Sequence, residues 1–165
     1  MANLTHSNFT PNTLSLHAGY SYDKQRTLSV PIYQSSAYNF ESLAQAAARF
    51  GLQELGNIYS RLTNPTVDTL ASRLAAVEGG AFGTVTASGS AAIFYAVVNL
   101  AQNGDNILYS NKIYGGSQTL FVHTLKRFGI EARVFDIDDL SSIEPLIDDK
   151  TSLFSLKAFQ IRKSP

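Results

Sequence analysis

Gly104-Asp105-Asn106-Ile107-Leu108-Tyr109-Ser110-Asn111-Lys112-Ile113-Tyr114-Gly115-Gly116-Ser117 is the stretch whose pattern decides the fold. Gly104-Asp105 makes a turn, and Asn106 to Ser110 is a compact β-prone run. A glycine-containing loop then leads into Ser117 to Phe128, which has an amphipathic helical pattern and stops at Gly129. The same unit recurs downstream. Glu131 to Phe135 reads as a strand, Asp138 to Ile147 as a helical stretch disturbed by Pro145, and Thr151 to Phe154 as the start of another strand. Upstream, Thr84 to Ala87 is a short β-prone run. Ser90 to Leu100 is apolar on nearly every face, the pattern of a buried helix. Repeated strand–helix units of this length predict an α/β domain with a mainly parallel sheet, right-handed crossovers and helices on both faces.

Residues 1 to about 40 read instead as an extended arm, with Pro11, Gly19 and Pro31 interrupting any periodicity. Ser42 can cap a helix through Ala44, Ala46, Ala47, Ala48 and Phe50, with Gly56 as its expected stop and Gly51 as a weak point. A connector, Gly56 to Arg61, precedes a stronger helix. Asn64 is its cap, Pro65 its first residue and Gly79-Gly80 its end, and Val67, Leu70, Leu74 and Val77 keep helical spacing.

Composition narrows the function classes. Lysine plus arginine balances aspartate plus glutamate at 13 each, which leaves no electrostatic footprint for nucleic acid or an anionic membrane. The absence of cysteine excludes disulfides, thiolate metal sites and a catalytic thiol. No apolar run is long enough to span a bilayer, and Met1 to Pro11 lacks the pattern of a signal peptide, so the expected location is cytoplasmic. His6, His17 and His123 are scattered and none reads as a metal ligand. Asp136, Asp138 and Asp139 resemble a metal-binding run, but capping explains them more simply.

Three local features carry possible chemistry. Thr86-Ala87-Ser88-Gly89-Ser90-Ala91-Ala92 sits at a strand-to-helix junction, where free N–H groups at a helix start can hold phosphate. A buried helix capped by Ser88 is the simpler alternative. The segment matches neither a P-loop nor a dinucleotide fingerprint. Tyr59 and Arg61 flank Ser60 in an irregular segment, and an extended backbone would point both the same way. Arginine offers a planar fork of donors to phosphate and tyrosine adds a hydroxyl, while a surface arginine beside a packing tyrosine is the plainer reading. Tyr114-Gly115-Gly116 follows a strand, at the carboxyl edge where parallel sheets bind ligands. An exposed aromatic ring there could stack on a flat ligand; a packing tyrosine in a glycine-rich turn fits equally.

Taken together, Leu16-His17-Ala18-Gly19, Pro31-Ile32-Tyr33-Gln34, Tyr59-Ser60-Arg61 with Asn64-Pro65-Thr66, Ala87-Ser88-Gly89 and Tyr114-Gly115-Gly116 resemble, in order and spacing, the Cys/Met-metabolism pyridoxal-phosphate enzymes. The likeness spans residues 13 to 153. Within that family Phe50 to Tyr59 is similar to the Gln-Glu-x-Gly-Asn-Ile-Tyr segment of O-acetylhomoserine sulfhydrylases. The resemblance implies an incomplete aspartate-aminotransferase-like large domain of PLP fold type I. It divides the chain into an arm and helix (1–58), a partial cofactor-binding domain (59–153) and an aberrant tail (154–165). Tyr59 and Arg61 would bind the cofactor phosphate of a neighbouring subunit, and the arm would cross to that partner. Ser88, Gly89 and Ser90 would place backbone N–H groups on the phosphate of their own subunit's cofactor. Ser90 departs from the methionine usual there. Tyr114 would stack on the pyridine ring and help move protons. The implied reaction is γ-replacement on O-acetyl-L-homoserine by sulfide or a thiol, giving homocysteine or methionine, in a homotetramer. Cystathionine synthases, cystathionine lyases and methionine lyase are sibling alternatives. A non-catalytic fragment that binds the cofactor phosphate or forms oligomers is the alternative from another class.

A Schiff-base lysine and a carboxylate for the pyridinium nitrogen belong to a part of the family pattern that this sequence does not contain. Lys24, Lys112, Lys126, Lys150, Lys157 and Lys163 all lack the family's lysine context. After Leu153 the family continues with a Phe-Phe-Glu-Ser-x-x-Asn-Pro-like segment, whereas Phe154 to Lys163 does not. Written in suitable synonymous codons, that stretch encodes Phe-Phe-Glu-Ser-Leu-Ser-Asn-Pro-Gln when read in another frame. A frameshift near Leu153, followed by an early stop, is therefore expected. Sequencing the encoding DNA checks this: the alternate frame should carry the family's second half, and its absence would end the idea.

Overall fold

A computed structural model describes residues 9–155. The expected aberrant stretch from Lys157 to Pro165 lies outside the described residues. The chain forms two compact units, Met1–Val85 and Thr86–Pro165.

In the first unit the arm is not extended throughout. Pro11–His17 forms a helix, α1, capped by Thr10. Pro11 starts the helix instead of breaking it, because an N–H at that position would have no intrahelical acceptor. Leu14 and Ala18 are buried where α1 packs on α3 (Pro65–Glu78). Arg73 Nε donates to Ala18 O at 2.9 Å. Gly19 has φ +74°, and a Cβ there would stand 2.7 Å from Arg73 N and 2.8 Å from Thr69 O. Only glycine lets the chain leave α1 this close to α3.

The start and end of α3 follow the sequence reading. Asn64 Oδ1 accepts from Thr66 N at 3.0 Å, and Gly79 closes the helix with φ +75°. Its apolar stripe is not its buried face, however. Val67, Leu70 and Leu74 remain half-exposed, and the buried positions are Thr69 and Ala75. Between α1 and α3 lies α2, Leu43–Phe50, capped by the Ser42 hydroxyl. It stops at Gly51 and not at Gly56. Gly51 N closes on Ala47 O at 2.9 Å, and Arg49 then pairs with Glu54 at 3.0 Å to fold the following loop back.

The second unit holds a three-stranded parallel sheet: β1 (Asn106–Ser110), β2 (Glu131–Phe135) and β3 (Thr151–Ser155), in the order β2-β1-β3. All five residues of β1 are buried, as a central parallel strand requires. α4 (Gly89–Leu100) precedes β1. Between β1 and β2, α5 (Gly115–Thr119) runs on into a wide π turn, Leu120–Thr124, and a 3₁₀ turn, Leu125–Phe128, that ends at Gly129 with φ +73°. This run starts two residues before the expected Ser117. Val97, Ile107, Tyr109, Phe121, Leu125 and Ile130 form the core, with the Tyr109 and Phe121 rings edge-on at 5.6 Å. Each fully buried side chain of this size contributes about 1.5–3 kcal/mol.

Two expectations change. Thr84 to Ala87 is not a strand: among the described residues it pairs with no other strand, and without a partner an extended run has no ladder. α4 is covered on one side only. Val97 is buried, but Tyr95 and Leu100 are more than half exposed. The stretch from Asp138 to Ile147 is broken as Pro145 implied, into the 3₁₀ turns Leu140–Ser142 and Glu144–Leu146.

A polar tie joins the amino ends of the three strands. Asn106 is 1% exposed. Its Nδ2 donates to Asp148 Oδ1 at 2.7 Å, and its Oδ1 accepts from Thr151 Oγ1 at 2.8 Å. Arg133 donates to Asp148 Oδ2, to Leu146 O and to Glu131 Oε2. The Arg133 bond, then those from Asn106 and Lys150 N, hold the Asp148 carboxyl down at about 2, from an ordinary 3.8. Replacing Asn106 by Ala removes the two side-chain bonds that this buried residue makes to Asp148 and Thr151 and is expected to cost about 1–3 kcal/mol in urea unfolding, with the sheet retained by circular dichroism. Because the folded-state pKa of Asp148 is depressed, its contribution is present above pH ~4 and fades as pH falls towards 2. Asp148→Asn should therefore flatten the acid limb of stability against pH; an unchanged limb would show that the tie is not coupled to folding.

Candidate functional site

Each residue singled out in the sequence lies exposed at a turn or a helix start. In the first unit, Tyr59 and Arg61 flank a turn and not an extended segment. Leu62 N and Thr63 N both donate to Tyr59 O, at 2.8 and 3.1 Å. The turn still brings the two side chains together. The Arg61 guanidinium carbon lies 5.4 Å from the Tyr59 ring centroid, a cation–π stack. Tyr59 also makes an antiparallel bridge with Ala37.

In the second unit, Ser88 caps α4, its hydroxyl accepting from Ala91 N at 3.1 Å. Thr86 Oγ1 donates to Ser88 O at 2.8 Å, and Ala92 N donates to the same carbonyl. The next two N–H groups, those of Gly89 and Ser90, donate to no acceptor among the described residues. A Cβ built on Gly89 would meet nothing within 4 Å, so the turn is open at that position.

Tyr114 is the N-cap residue of α5, and its carbonyl accepts from Ser117 N and Gln118 N. Tyr114 is 55% exposed and its ring folds over Gly116, where a Cβ would come within 2.5 Å of Cε1. The loop bearing Tyr114 is held by residues the sequence reading passed over. Asn111 N donates to Phe135 O at 2.9 Å and Asn111 Nδ2 to Asp136 Oδ1 at 2.8 Å, and Lys112 pairs with Asp138. The Asp138 N–H, then Asn111, hold the Asp136 carboxyl below its usual range. Asp139 caps the Leu140–Ser142 turn through Ser141 N. The acidic run is thus engaged in capping and loop ties. The only sequence signal for Asn111 was its place one residue past a strand. α4 and α5 touch, but among the described residues no hydrogen bond joins Tyr114 to the Ser88–Ser90 turn.

A parallel sheet with an open helix start and an exposed aromatic loop past its central strand is the architecture of a fold type I pyridoxal-phosphate enzyme, present here in part. The comparisons specify the family. Residues 12–159 match the family described as Cys/Met metabolism PLP-dependent enzymes, and the chain belongs to that family. A crystal structure described as an O-acetylhomoserine (thiol)-lyase from Campylobacter jejuni, containing N'-pyridoxyl-lysine-5'-monophosphate, superposes with a TM-score of 0.85 at 68% identity. The match covers 89% of this chain and 36% of that one. O-acetyl-L-homoserine sulfhydrylase 1 of Thermus thermophilus is 51% identical over 142 residues, 84% of this chain and 34% of that protein. The sulfhydrylase FUB7 of Fusarium oxysporum is 47% identical over 152 residues, 92% of this chain and 35% of that protein. The chain therefore spans about a third of the length of its relatives. No described helix is long and apolar enough to cross a membrane.

The residues present fit the family's cofactor at its phosphate end. Two N–H groups without acceptors among the described residues at the start of a twelve-residue helix, with the Cβ position of Gly89 open beside them, suit a phosphate dianion. Gly116→Ala should displace the Tyr114 ring, which can swing into solvent, and should leave stability within about 0.5 kcal/mol. Iodide quenching of tyrosine fluorescence checks this; unchanged quenching would mean that Gly116 does not set the ring's place.

Proposed function

We propose that the whole protein catalyses γ-replacement on O-acetyl-L-homoserine with sulfide or a thiol, forming homocysteine or methionine, as a cytoplasmic homo-oligomer with active sites shared between subunits. The observation that carries this reading is the start of α4, where the Gly89 and Ser90 N–H groups meet no acceptor among the described residues and the Cβ position of Gly89 is open, in a chain similar to sulfhydrylases along most of its length. Pyridoxal phosphate, when bound, supplies the electron sink for the charge that develops on the substrate carbon.

In this reading each of the chain's own residues has a task. Gly89 and Ser90 donate their N–H groups to the phosphate, where the helix dipole adds favourable potential. Ser88 holds that turn open by satisfying Ala91 N with its hydroxyl. Arg61 donates to the phosphate held by a neighbouring subunit, and the Tyr59 hydroxyl donates beside it. Tyr114 lays its ring against the pyridine ring and carries a proton at its hydroxyl.

Gly89→Pro isolates the binding claim. Position 89 is the first residue of α4, where proline is tolerated, and Ser88 has the extended backbone that a following proline prefers (φ −157°, ψ 155°). The variant keeps the helix and loses one N–H. Pyridoxal phosphate added to the parent chain should shift the Gly89 and Ser90 amide signals, and Gly89→Pro should weaken binding about tenfold. Parent-like affinity in that variant would remove the helix start from the site. For the whole protein, sulfide-dependent release of acetate from O-acetyl-L-homoserine is the expected activity; cleavage of cystathionine without it would assign a sibling reaction.

A further inference from the structure

The Tyr59–Arg61 turn is built from below. Asn64 is 6% exposed. As a helix cap it needs only Oδ1, which accepts from Thr66 N, and Ser or Asp would serve as well. The structure also uses both protons of its amide. Nδ2 donates to Tyr33 O at 2.9 Å and to Ser60 Oγ at 3.0 Å. Ser60 lies between Tyr59 and Arg61. Its hydroxyl donates to Ser35 O, its backbone N donates to Ser36 O at 3.0 Å, and Tyr38 OH lies 3.4 Å from the same hydroxyl. Thr66 completes the clamp: its hydroxyl donates to Pro31 O at 2.8 Å and accepts from Tyr33 N at 2.9 Å.

Ser60, Asn64 and Thr66 thus spend their side-chain hydrogen bonds inward, on the start of α3 and on residues 31–38. Tyr59 and Arg61 stay exposed and stacked on each other. Burying a carboxamide is costly unless its donors and acceptor are met, and here all are met. Holding the turn in one shape before a ligand arrives lowers the ordering cost of binding.

We propose that Asn64, acting through Ser60, is a positioning residue that presets the Tyr59 hydroxyl and the Arg61 guanidinium as one anion-binding pair for a phosphate monoester. The proposal rests on the reading of Arg61 as a phosphate ligand. Asn64 touches no ligand itself; it fixes the turn that carries the two that do.

Asn64→Asp tests it. Aspartate keeps the acceptor that caps α3 and loses both amide donations. Ser60→Ala is the second variant: it leaves the Asn64 cap and the bond to Tyr33 in place and removes the hydroxyl through which Asn64 holds the turn, together with that hydroxyl's contacts to Ser35 O and Tyr38 OH, so it decides the question if Asn64→Asp fails to fold. On the full chain, NMR reads the Arg61 side-chain signals, which the Tyr59 ring shifts upfield, and follows them through a titration with inorganic phosphate. Both variants should lose the upfield shift and weaken the Arg61 response to phosphate about fivefold, while α3 keeps its helicity by circular dichroism. Variants that retain the upfield shift and the parent's phosphate response overturn the proposal and leave the role of Arg61 standing. A parent chain whose Arg61 signals ignore phosphate overturns that role, and the proposal with it.

Discussion

β1 is buried along its whole length, and the second unit is arranged around that constraint. Ile107 and Tyr109 meet Val97, Phe121 and Leu125 in the core. A strand buried on both faces must still satisfy the polar groups at its ends. Asn106 does so with Asp148 and Thr151 at the amino end. At the carboxyl end, Ser110 Oγ accepts from Lys112 N at 3.2 Å, and Asn111 ties the exit of β1 to that of β2. The two ends differ in what they leave free. At the amino end the charged groups are consumed by one another. Past the carboxyl end, the loop is held by Asn111 and Lys112 while the Tyr114 ring stays accessible. The ligand-binding side of a parallel sheet is here the side whose supports lie beside the loop and leave its tip open.

The first unit solves a different problem with little apolar core of its own. Leu14, Ala18 and Ala75 are its only buried apolar side chains among the described residues. Leu28, Ile32, Leu43, Leu52, Leu55 and Leu62 are mostly exposed. Backbone-directed hydrogen bonds from Asn64, Thr66, Ser60 and Arg73 supply order where apolar burial is sparse. Such bonds are directional, so they fix the geometry of the Tyr59–Arg61 turn more sharply than non-directional packing would.

Much of the fold was legible because its signals are local. Ser42, Asn64 and Ser88 were readable as caps, and Gly79 and Gly129 as stops, since each acts through groups within a few residues. The strands at 106, 131 and 151 stood out by β-prone runs between turns. α1 was missed because Pro11 is ambiguous out of context: the same ring that breaks a helix interior suits a first turn. Thr84 to Ala87 was misread because a strand is a property of a pair, and its propensity does not reveal a partner. The one-sided burial of α4 was hidden by its composition, which is apolar all round whatever covers it. Of the candidate site, the residues were legible and their shape was not. Tyr59 and Arg61 do lie together, through a turn closed on the Tyr59 carbonyl and not through strand alternation.

The linear order of residues by itself determined the alternation of strands and helices, the helix caps and the family to which the motifs belong, because caps, turns and motif words act over a few neighbouring positions. Tertiary structure alone decided which faces are buried, that Asn106 and Arg133 meet at Asp148 beside the start of β3, that Tyr114 lies over Gly116, and that Asn64 reaches back across some thirty residues to Tyr33. Those outcomes depend on groups distant in sequence meeting within hydrogen-bond or van der Waals range, and no local pattern encodes that distance.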